Sequence, residues 1–473
     1  MISPRQRNVA LLVAGCFFME NLDGTIVTIA TPRIATSLHV APTAAGLLIT
    51  SYLITLAVLI PLSAWMTTRY GARPVFLAAI VIFTASSSAC AASSSLGLLV
   101  AMRVVQGFGG AMMVPVGRLV VLSRAAKSDL MRIMSFIVWP GLVAPIIAPL
   151  AGGLITTYTS WRWIFLINAP LGVIAFAVAW RLIEGAAQPA PPRLDRLGLL
   201  LVGGGLAGVT YFAHLLSLSD PQWALIALIG VAATALLAGG VRHLLVTHDP
   251  LVNIHVLRID SLRHSLSGST LFWVAVNAVP FLLTLLFEER FRWSPVHAGA
   301  IVLAVFAGDV AIKPATTRIL NRCGFRATLV ATTATLCATI VAAGFLGRGT
   351  PVALIVVVVA LSGAARSVGL TAYSTLAFSE VPEQQMRYAT ALAATAQQLA
   401  AGLAIAAATL ALRAGGPLAR AFSSASQPDA YTFAFALMAL VALAACVSAT
   451  RLHPAAGDAI RSARRPSERA AEV

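Results

Sequence analysis

Eight side chains in this sequence could do chemistry in surroundings that are otherwise almost wholly apolar: Glu20, Asp23, Arg103, Gln106, Asp309, Lys313, Arg366 and Gln397. An ionised group in the middle of a lipid bilayer costs at least about 2.5 to 3.5 kcal/mol, so each charge buried in an apolar run needs a reason to be there. Glu20 and Asp23 are three residues apart and share one helical face. Two carboxyl groups facing one dry cavity cannot both ionise cheaply, so one of them can hold and release a proton. A hydrogen bond from Asp23 to a neighbouring helix is the alternative. Arg103 never gives up its charge and donates in a fork, so it can hold or displace a carboxylate's proton without carrying one. Gln106 lies on the same face, three residues on. A purely structural ion pair is the competing reading for this arginine. Asp309 and Lys313 are spaced i, i+4 with the acid first, the favourable order within a helix. They either neutralise one another or supply a second titratable site. Arg366 has small neighbours on both sides in Leu361-Ser-Gly-Ala-Ala-Arg366, which allows close helix approach. It could meet an anionic substrate group or one of the acids. Gln397 and its neighbour Gln398 could line a cavity or bond helix to helix.

The elements that must position these residues are membrane-spanning helices. The chain of 473 residues is 59% hydrophobic and 11% charged, against about 25% charged in soluble domains. Apolar runs of roughly 18 to 27 residues recur from end to end. Ten-residue alternating segments of the β-barrel kind are absent, so helices remain to satisfy the backbone in lipid. The expected fold is an all-α membrane protein of about fourteen spans, at 8–30, 44–67, 74–92, 96–122, 131–156, 163–183, 196–216, 221–245, 264–287, 295–317, 327–346, 350–378, 388–412 and 430–450. Arg5 and Arg7 before the first run imitate a signal peptide, but the run is long, contains Glu20 and Asp23, and leads straight into another span. It reads as an uncleaved first helix.

A net charge of +16 would suggest nucleic acid in a soluble chain. Here it reports topology. With the N-terminus inside, about 22 of the Lys and Arg residues fall on the cytoplasmic side and about 7 outside. The inward set includes Arg69, Arg73, Arg124, Lys127, Arg132, Arg318, Arg322, Arg326 and the tail Arg461, Arg464, Arg465 and Arg469. Both termini are therefore expected in the cytoplasm of a plasma membrane, with a bacterial inner membrane the expected setting and no nucleic acid partner.

A Pro/Ala-rich stretch at 184–193 and a polar break at 247–264 divide the spans into six, two and six. The expected parts are an N-terminal six-helix bundle (1–190), a two-helix insert with flanking linkers (191–260), a C-terminal six-helix bundle (261–455) and a basic tail (456–473). An internal similarity supports this division. Arg69-Tyr-Gly71-Ala-Arg73 follows the second span and Arg322-Cys-Gly324-Phe-Arg326 follows the tenth, at the same place in each bundle. Gly141, Pro145, Pro149 and Gly153 recur every fourth residue in span five, with Gly152 alongside. Such a stripe makes a bendable, closely packed seam. The gating candidates are thus Arg69, Gly71, Arg73, Pro145, Pro149, Gly152, Gly153, Arg322 and Gly324.

Several of these segments carry a resemblance. Leu22-Asp-Gly-Thr-Ile-Val-Thr-Ile-Ala-Thr-Pro32, Arg103-Val-Val-Gln-Gly-Phe-Gly-Gly-Ala-Met-Met-Val-Pro-Val-Gly-Arg118 and Ser160-Trp-Arg-Trp-Ile-Phe-Leu-Ile-Asn-Ala-Pro-Leu-Gly172 are similar to signatures of the major facilitator superfamily. Within it they resemble the fourteen-span drug:proton antiporter branch called EmrB/QacA-like, and the MdtD type of multidrug transporter most of all. The resemblance covers nearly the whole chain. It implies alternating access between two bundles, proton coupling through Asp23 and Arg103, and export of small amphipathic or cationic compounds. Two motifs depart from the family pattern: Ala64 and Thr68 stand where Gly and Asp are usual, and Ala144 and Ala148 stand where the antiporter motif has glycine.

Arg118, near a span end, can snorkel to the interface and is given no role. No Lys-Ser/Thr phosphate loop, His-Glu-x-x-His pattern or nucleophilic triad is present in the sequence. ATP drive, a metal, a cofactor and an enzymatic activity are therefore not expected. The five cysteines have no metal-type spacing and read as packing. The partners expected are a small-molecule substrate, protons and membrane lipid; a periplasmic adaptor protein would be unknown. Two other readings stay open: a metabolite or siderophore carrier of the same fold, and a non-transporting membrane sensor using the Arg-rich tail.

Overall fold

The computed structural model describes residues 4–40, 45–123, 129–184, 194–217, 222–247, 250–293, 295–421, 430–453 and 456–457. All the long elements among them are helices: α1 Pro4–Ser37, α2 Leu47–Tyr70, α3 Ala72–Ala92, α4 Leu96–Leu122, α5 Leu130–Tyr158, α6 Trp163–Leu182, α7 Arg196–Leu216, α8 Trp223–Val246 and α9 Asp260–Arg290. They continue as α10 and α11, the two arms of Pro295–Gly344 divided at Gly324, then α12 Val352–Phe378, α13 Met386–Ala421 and α14 Ala430–Thr450. Twelve described stretches are long and apolar enough to cross a membrane, and one of the twelve contains both α10 and α11. Helix α5, at the fifth expected span, is 29 residues long. Each expected span therefore falls on helix, the one element that closes its own backbone hydrogen bonds in lipid. The chain is an all-α, multi-pass membrane protein.

The Arg-x-Gly-x-Arg repeat has a backbone meaning. Gly71 ends α2 with φ 87° and Gly324 divides α10 from α11 with φ 80°. Only glycine takes such a conformation without strain, so the same sharp break recurs at the same place in both halves. Arg73 then anchors the first break: its guanidinium donates to the Trp180 carbonyl at 3.0 Å and lies 5.3 Å from that residue's indole ring. Arg69 and Arg322 are exposed.

In the N-terminal half α1 packs on α5, α6 and α4, while α4 also packs on α2 and α3. In the C-terminal half α10 and α11 pack on α12 and α14, and α9 on α12, α13 and α14. Helix α5 meets α10–α12, and α13 meets α2 and α4, so contacts run between the halves. The pair α7–α8 sits at the edge with α7 against α2 and α13, and α8 turns Leu228, Val231, Val241 and Leu245 outward. Pro145 and Pro149 lie within α5, but their side chains and the burial of Gly141 fall outside the described set, as do Arg124, Lys127, the Arg132 side chain, most of the linker at 184–193 and the tail arginines. Gly152 is buried in α5, and a Cβ on Gly153 would meet nothing within 4 Å.

Candidate functional site

The first cluster ties α1, α3, α4 and α6 together around Asp23, which is 1% exposed, and Arg103, which is 0% exposed. Arg103 Nη1 donates to Asp23 Oδ2 at 2.6 Å and to Gln106 Oε1 at 2.8 Å. Gln106 Nε2 and Asn168 Nδ2 each donate to Asp23 Oδ1 at 2.9 Å. Asn168 also donates to Ser87 Oγ at 3.0 Å, and Ser87 in turn to the Phe165 carbonyl at 2.9 Å. The remaining face of Arg103 rests 4.2 Å from the Tyr52 ring centre, and its Nε donates to the Leu48 carbonyl at 3.2 Å. Both carboxylate oxygens of Asp23 are thus occupied by donors from three residues, and one guanidinium nitrogen, Nη2, is left over. A buried charge survives in apolar surroundings on such terms, paired and hydrogen-bonded on its remaining lone pairs.

The second cluster lies in the C-terminal half. Asp309 on α10 is 0% exposed, and its Oδ2 is 3.5 Å from Nε of Arg366 on α12. Close approach of the two helices brings the residues together: a Cβ at Gly308 would overlap the Ala360 carbonyl, and one at Gly363 would overlap that of Val305. Neither Asp309 oxygen nor Arg366 Nε completes a hydrogen bond, and the Ser367 hydroxyl lies beside the carboxylate without reaching bonding geometry. The Arg366 guanidinium is 5.3 Å from the Phe306 ring centre. Lys313 does not close on Asp309 along the helix; its Nζ donates across to Thr371 Oγ1 at 2.9 Å.

Between the halves is a third group. Arg118 on α4 donates through both terminal nitrogens to Gln397 Oε1 on α13, at 3.4 and 3.3 Å, and stacks 5.5 Å from the Phe17 ring centre on α1. Both residues line a chamber of about 30 Å³ walled by α9, α12 and α13, room for a water but not for a substrate. Glu20, one turn beyond Phe17, keeps its Oε2 buried without a hydrogen-bond partner and near enough for its charge to act on Arg118. A larger cleft, about 550 Å³ between α1 and α6, is lined by apolar side chains with Asn8 and Arg181 and contains neither ion pair.

Asp23, Arg103 and Gln106 are therefore in direct contact, Asp309 meets Arg366, and Gln397 meets a residue that sequence reading had set aside. Gln106 belongs to the Asp23 network and does not line the chamber. Asn168 and Ser87 were missed because neutral side chains near span ends raise no alarm. The signal that could have found Asn168 is its place inside the Ser160–Gly172 segment.

Two interior arginine–carboxylate pairs thus sit inside an all-helical, multi-pass body of two halves. The sequence profile of the Major Facilitator Superfamily matches residues 13–276 and 265–471, and the chain belongs to that family. It is 31% identical over 464 residues to a Haemophilus influenzae protein named "Probable transport protein HsrA", covering 97% of this chain and 98% of that one. It is 34% identical over 436 residues to "Putative multidrug resistance protein MdtD" of Cronobacter sakazakii, covering 91% of each chain. Among solved structures it matches the human organic anion transporter MFSD10 (TM-score 0.68, 16% identity, 95% of this chain and 100% of that one). The proton:xylose symporter XylE matches with TM-score 0.64 and 13% identity, covering 94% and 95%. At these identities the solved structures speak for the fold alone.

Proposed function

We propose that this transporter is a proton-driven exporter of small amphipathic compounds, cationic ones included, that works by rocking two six-helix bundles, 1–190 and 261–455, about the chamber between them. The two-helix insert 191–260 flanks the bundles, and the protein sits in a bacterial inner membrane with both termini in the cytoplasm. The observation that carries this reading is Glu20. It is a carboxyl group on α1, near enough to Arg118 for the two charges to interact, with a buried oxygen that accepts no hydrogen bond, which leaves a proton or a cationic substrate to satisfy it in turn. Mutually exclusive occupancy of one carboxylate by proton and substrate is the minimum that exchange requires. The Asp23–Arg103 pair positions the helix that carries Glu20: its carboxylate is occupied by three donor residues, which favours the ion-pair alternative over a titrating role. Export, rather than uptake, draws support from the name of the MdtD relative.

Everted membrane vesicles carrying a pH gradient test this. Addition of a cationic amphiphile such as ethidium is expected to dissipate the gradient, and Glu20→Gln should reduce that exchange at least about tenfold with the protein still inserted. Unchanged exchange in Glu20→Gln, with exchange lost in inserted Asp23→Asn, would move the proton to Asp23.

A further inference from the structure

We propose that the cleft between α1 and α6 holds one anionic phospholipid, with an acyl chain along the groove and the phosphate on Arg181 and Asn8 at its open end. Only the choice of leaflet, the cytoplasmic one, rests on the topology proposed above; the groove and its charge stand on separate observations.

The cleft, about 550 Å³ in volume, follows one face of each helix. Asn8, Gly15 and Met19 line it on α1, and Leu171, Val178 and Arg181 on α6; their helical spacing keeps each set on one side. The start of α1 meets the end of α6, where Arg5 donates to the Leu182 carbonyl at 3.1 Å. The polar residues Asn8 and Arg181 therefore share one end, and the walls beyond them are apolar. From Asn8 to Met19 the groove descends about 16 Å at about 1.5 Å per residue, which matches the roughly 15 Å half-thickness of a bilayer's hydrocarbon core. Met19, 1% exposed, closes its foot, while Leu11 and Ile174, 48% and 61% exposed, leave its side open to lipid. Gly15 provides room at mid-depth, since a Cβ there would meet nothing within 4 Å.

The charge at the mouth selects the occupant. Arg181 is exposed, and among the described residues no carboxylate lies within 4.0 Å of it. Glu184, three residues on, pairs with Arg5 instead. Trp180, next to Arg181 and 58% exposed, is the kind of amphipathic ring that settles at headgroup level. Arg73 donates to its carbonyl and lies against its indole, which brings a second cation to the same depth. Cations at headgroup depth above an apolar groove between two helices are the terms on which an anionic lipid is held. The same charge repels a cationic cargo, so the groove is not the export path. A lipid seated there ties α6 to α1, the helix whose Met19 closes the groove and whose next residue is Glu20.

Native mass spectrometry of the purified full chain in detergent, given equal amounts of dioleoyl phosphatidylglycerol and dioleoyl phosphatidylcholine, tests this. Wild type should retain phosphatidylglycerol over phosphatidylcholine by about fivefold or more. Arg181→Gln should bring that ratio near one, and Arg181→Lys should keep most of it. Gly15→Leu, whose side chain enters open space, should lower retention of both lipids alike, and it decides if Arg181→Gln folds poorly. Phosphatidylglycerol should also raise the unfolding temperature of wild type but not of Gly15→Leu. Equal retention of the two lipids by wild type, an unchanged preference in Arg181→Gln, or unchanged occupancy in Gly15→Leu would overturn the site. So would displacement by glycerol phosphate, which assigns the mouth to a soluble anion, or a lipid-free dimer lost in Gly15→Leu, which assigns the groove to a second copy. No arm reads transport, so failure here leaves the exporter reading untouched, and failure of the vesicle exchange leaves the lipid in place.

Discussion

Among the described residues each half of the molecule hides a carboxylate–arginine pair, and the two are built on different terms. In the N-terminal half the pair closes to 2.6 Å, and Gln106 and Asn168 occupy the second carboxylate oxygen. In the C-terminal half the pair stands at 3.5 Å, both carboxylate oxygens lack a donor, and a second cation, Lys313, is bonded elsewhere, to Thr371. Satisfied groups rigidify a helix packing; unsatisfied ones are free to trade partners. The Asp23–Arg103 pair reads as a strut between α1 and α4, and the Asp309–Arg366 pair as a contact that a proton or substrate can break.

The sharpest way to break this comparison is to remove one arginine from each pair. Arg103→Ala strands a buried carboxylate and three polar side chains oriented around it, and should cost about 3–5 kcal/mol. The expected sign is a steep fall in thermal unfolding temperature in detergent and in membrane abundance. Arg366→Ala should cost markedly less, because Asp309 already lacks hydrogen bonds and can take a proton in place of its partner. Double-mutant cycles with Asp23→Asn and Asp309→Asn give the coupling directly. A coupling in the first pair no larger than in the second would dissolve the distinction.

The parts of this contrast were unequally legible in the sequence. The charges themselves were easy to read, because each violates an apolar run. Which charge meets which was not: Asp23 and Arg103 are 80 residues apart, and only the packing of α1 on α4 joins them. Helical spacing alone favoured Asp309 with Lys313. The close approach of α10 to α12 at Gly308 and Gly363 supplied Arg366 instead and left Lys313 to Thr371. Arg118 looked like a snorkelling residue because its partner Gln397 lies 279 residues away in the other half. The Arg-x-Gly-x-Arg repeat was legible in full, since a glycine recurring midway between two arginines marks a backbone need that any pair of homologous turns would share.

That repeat offers a second, smaller test, this time of likeness between the halves. Gly71 and Gly324 hold nearly the same positive φ, so Gly71→Ala and Gly324→Ala should each cost about 1–3 kcal/mol and slow transport by similar factors. Unequal losses, read by unfolding temperature and by initial rate in vesicles, would mean that the two turns bear different loads. The first is tethered through Arg73 to Trp180, so any asymmetry should appear as a smaller rate effect at Gly71.

The smallest effect concerns a third carboxylate, well satisfied as Asp23 is but outside the membrane-spanning segments, where it serves as a control on the argument from satisfaction. Asp195 caps α7: it accepts from the Gly198 amide at 2.8 Å, the Leu251 amide at 3.1 Å and His243 Nε2 at 2.8 Å. Burial pushes its acidity toward the neutral form, but the Gly198 amide, His243 and the Leu251 amide together hold the carboxyl below its ordinary value. A group depressed in this way stabilises the folded protein fully above its unfolded pKa of about 3.9, and the contribution disappears as pH falls through the lower folded value. Asp195→Asn keeps a capping oxygen but loses the charge, so it should cost at most about 1 kcal/mol at neutral pH, seen as a shift of a few degrees in unfolding temperature. Wild type and variant should converge only in strong acid. Transport should be unchanged, because a satisfied carboxylate holds structure and offers nothing to exchange; a loss of transport without a loss of stability would mean that satisfaction does not separate struts from exchange sites, at Asp195 or at Asp23.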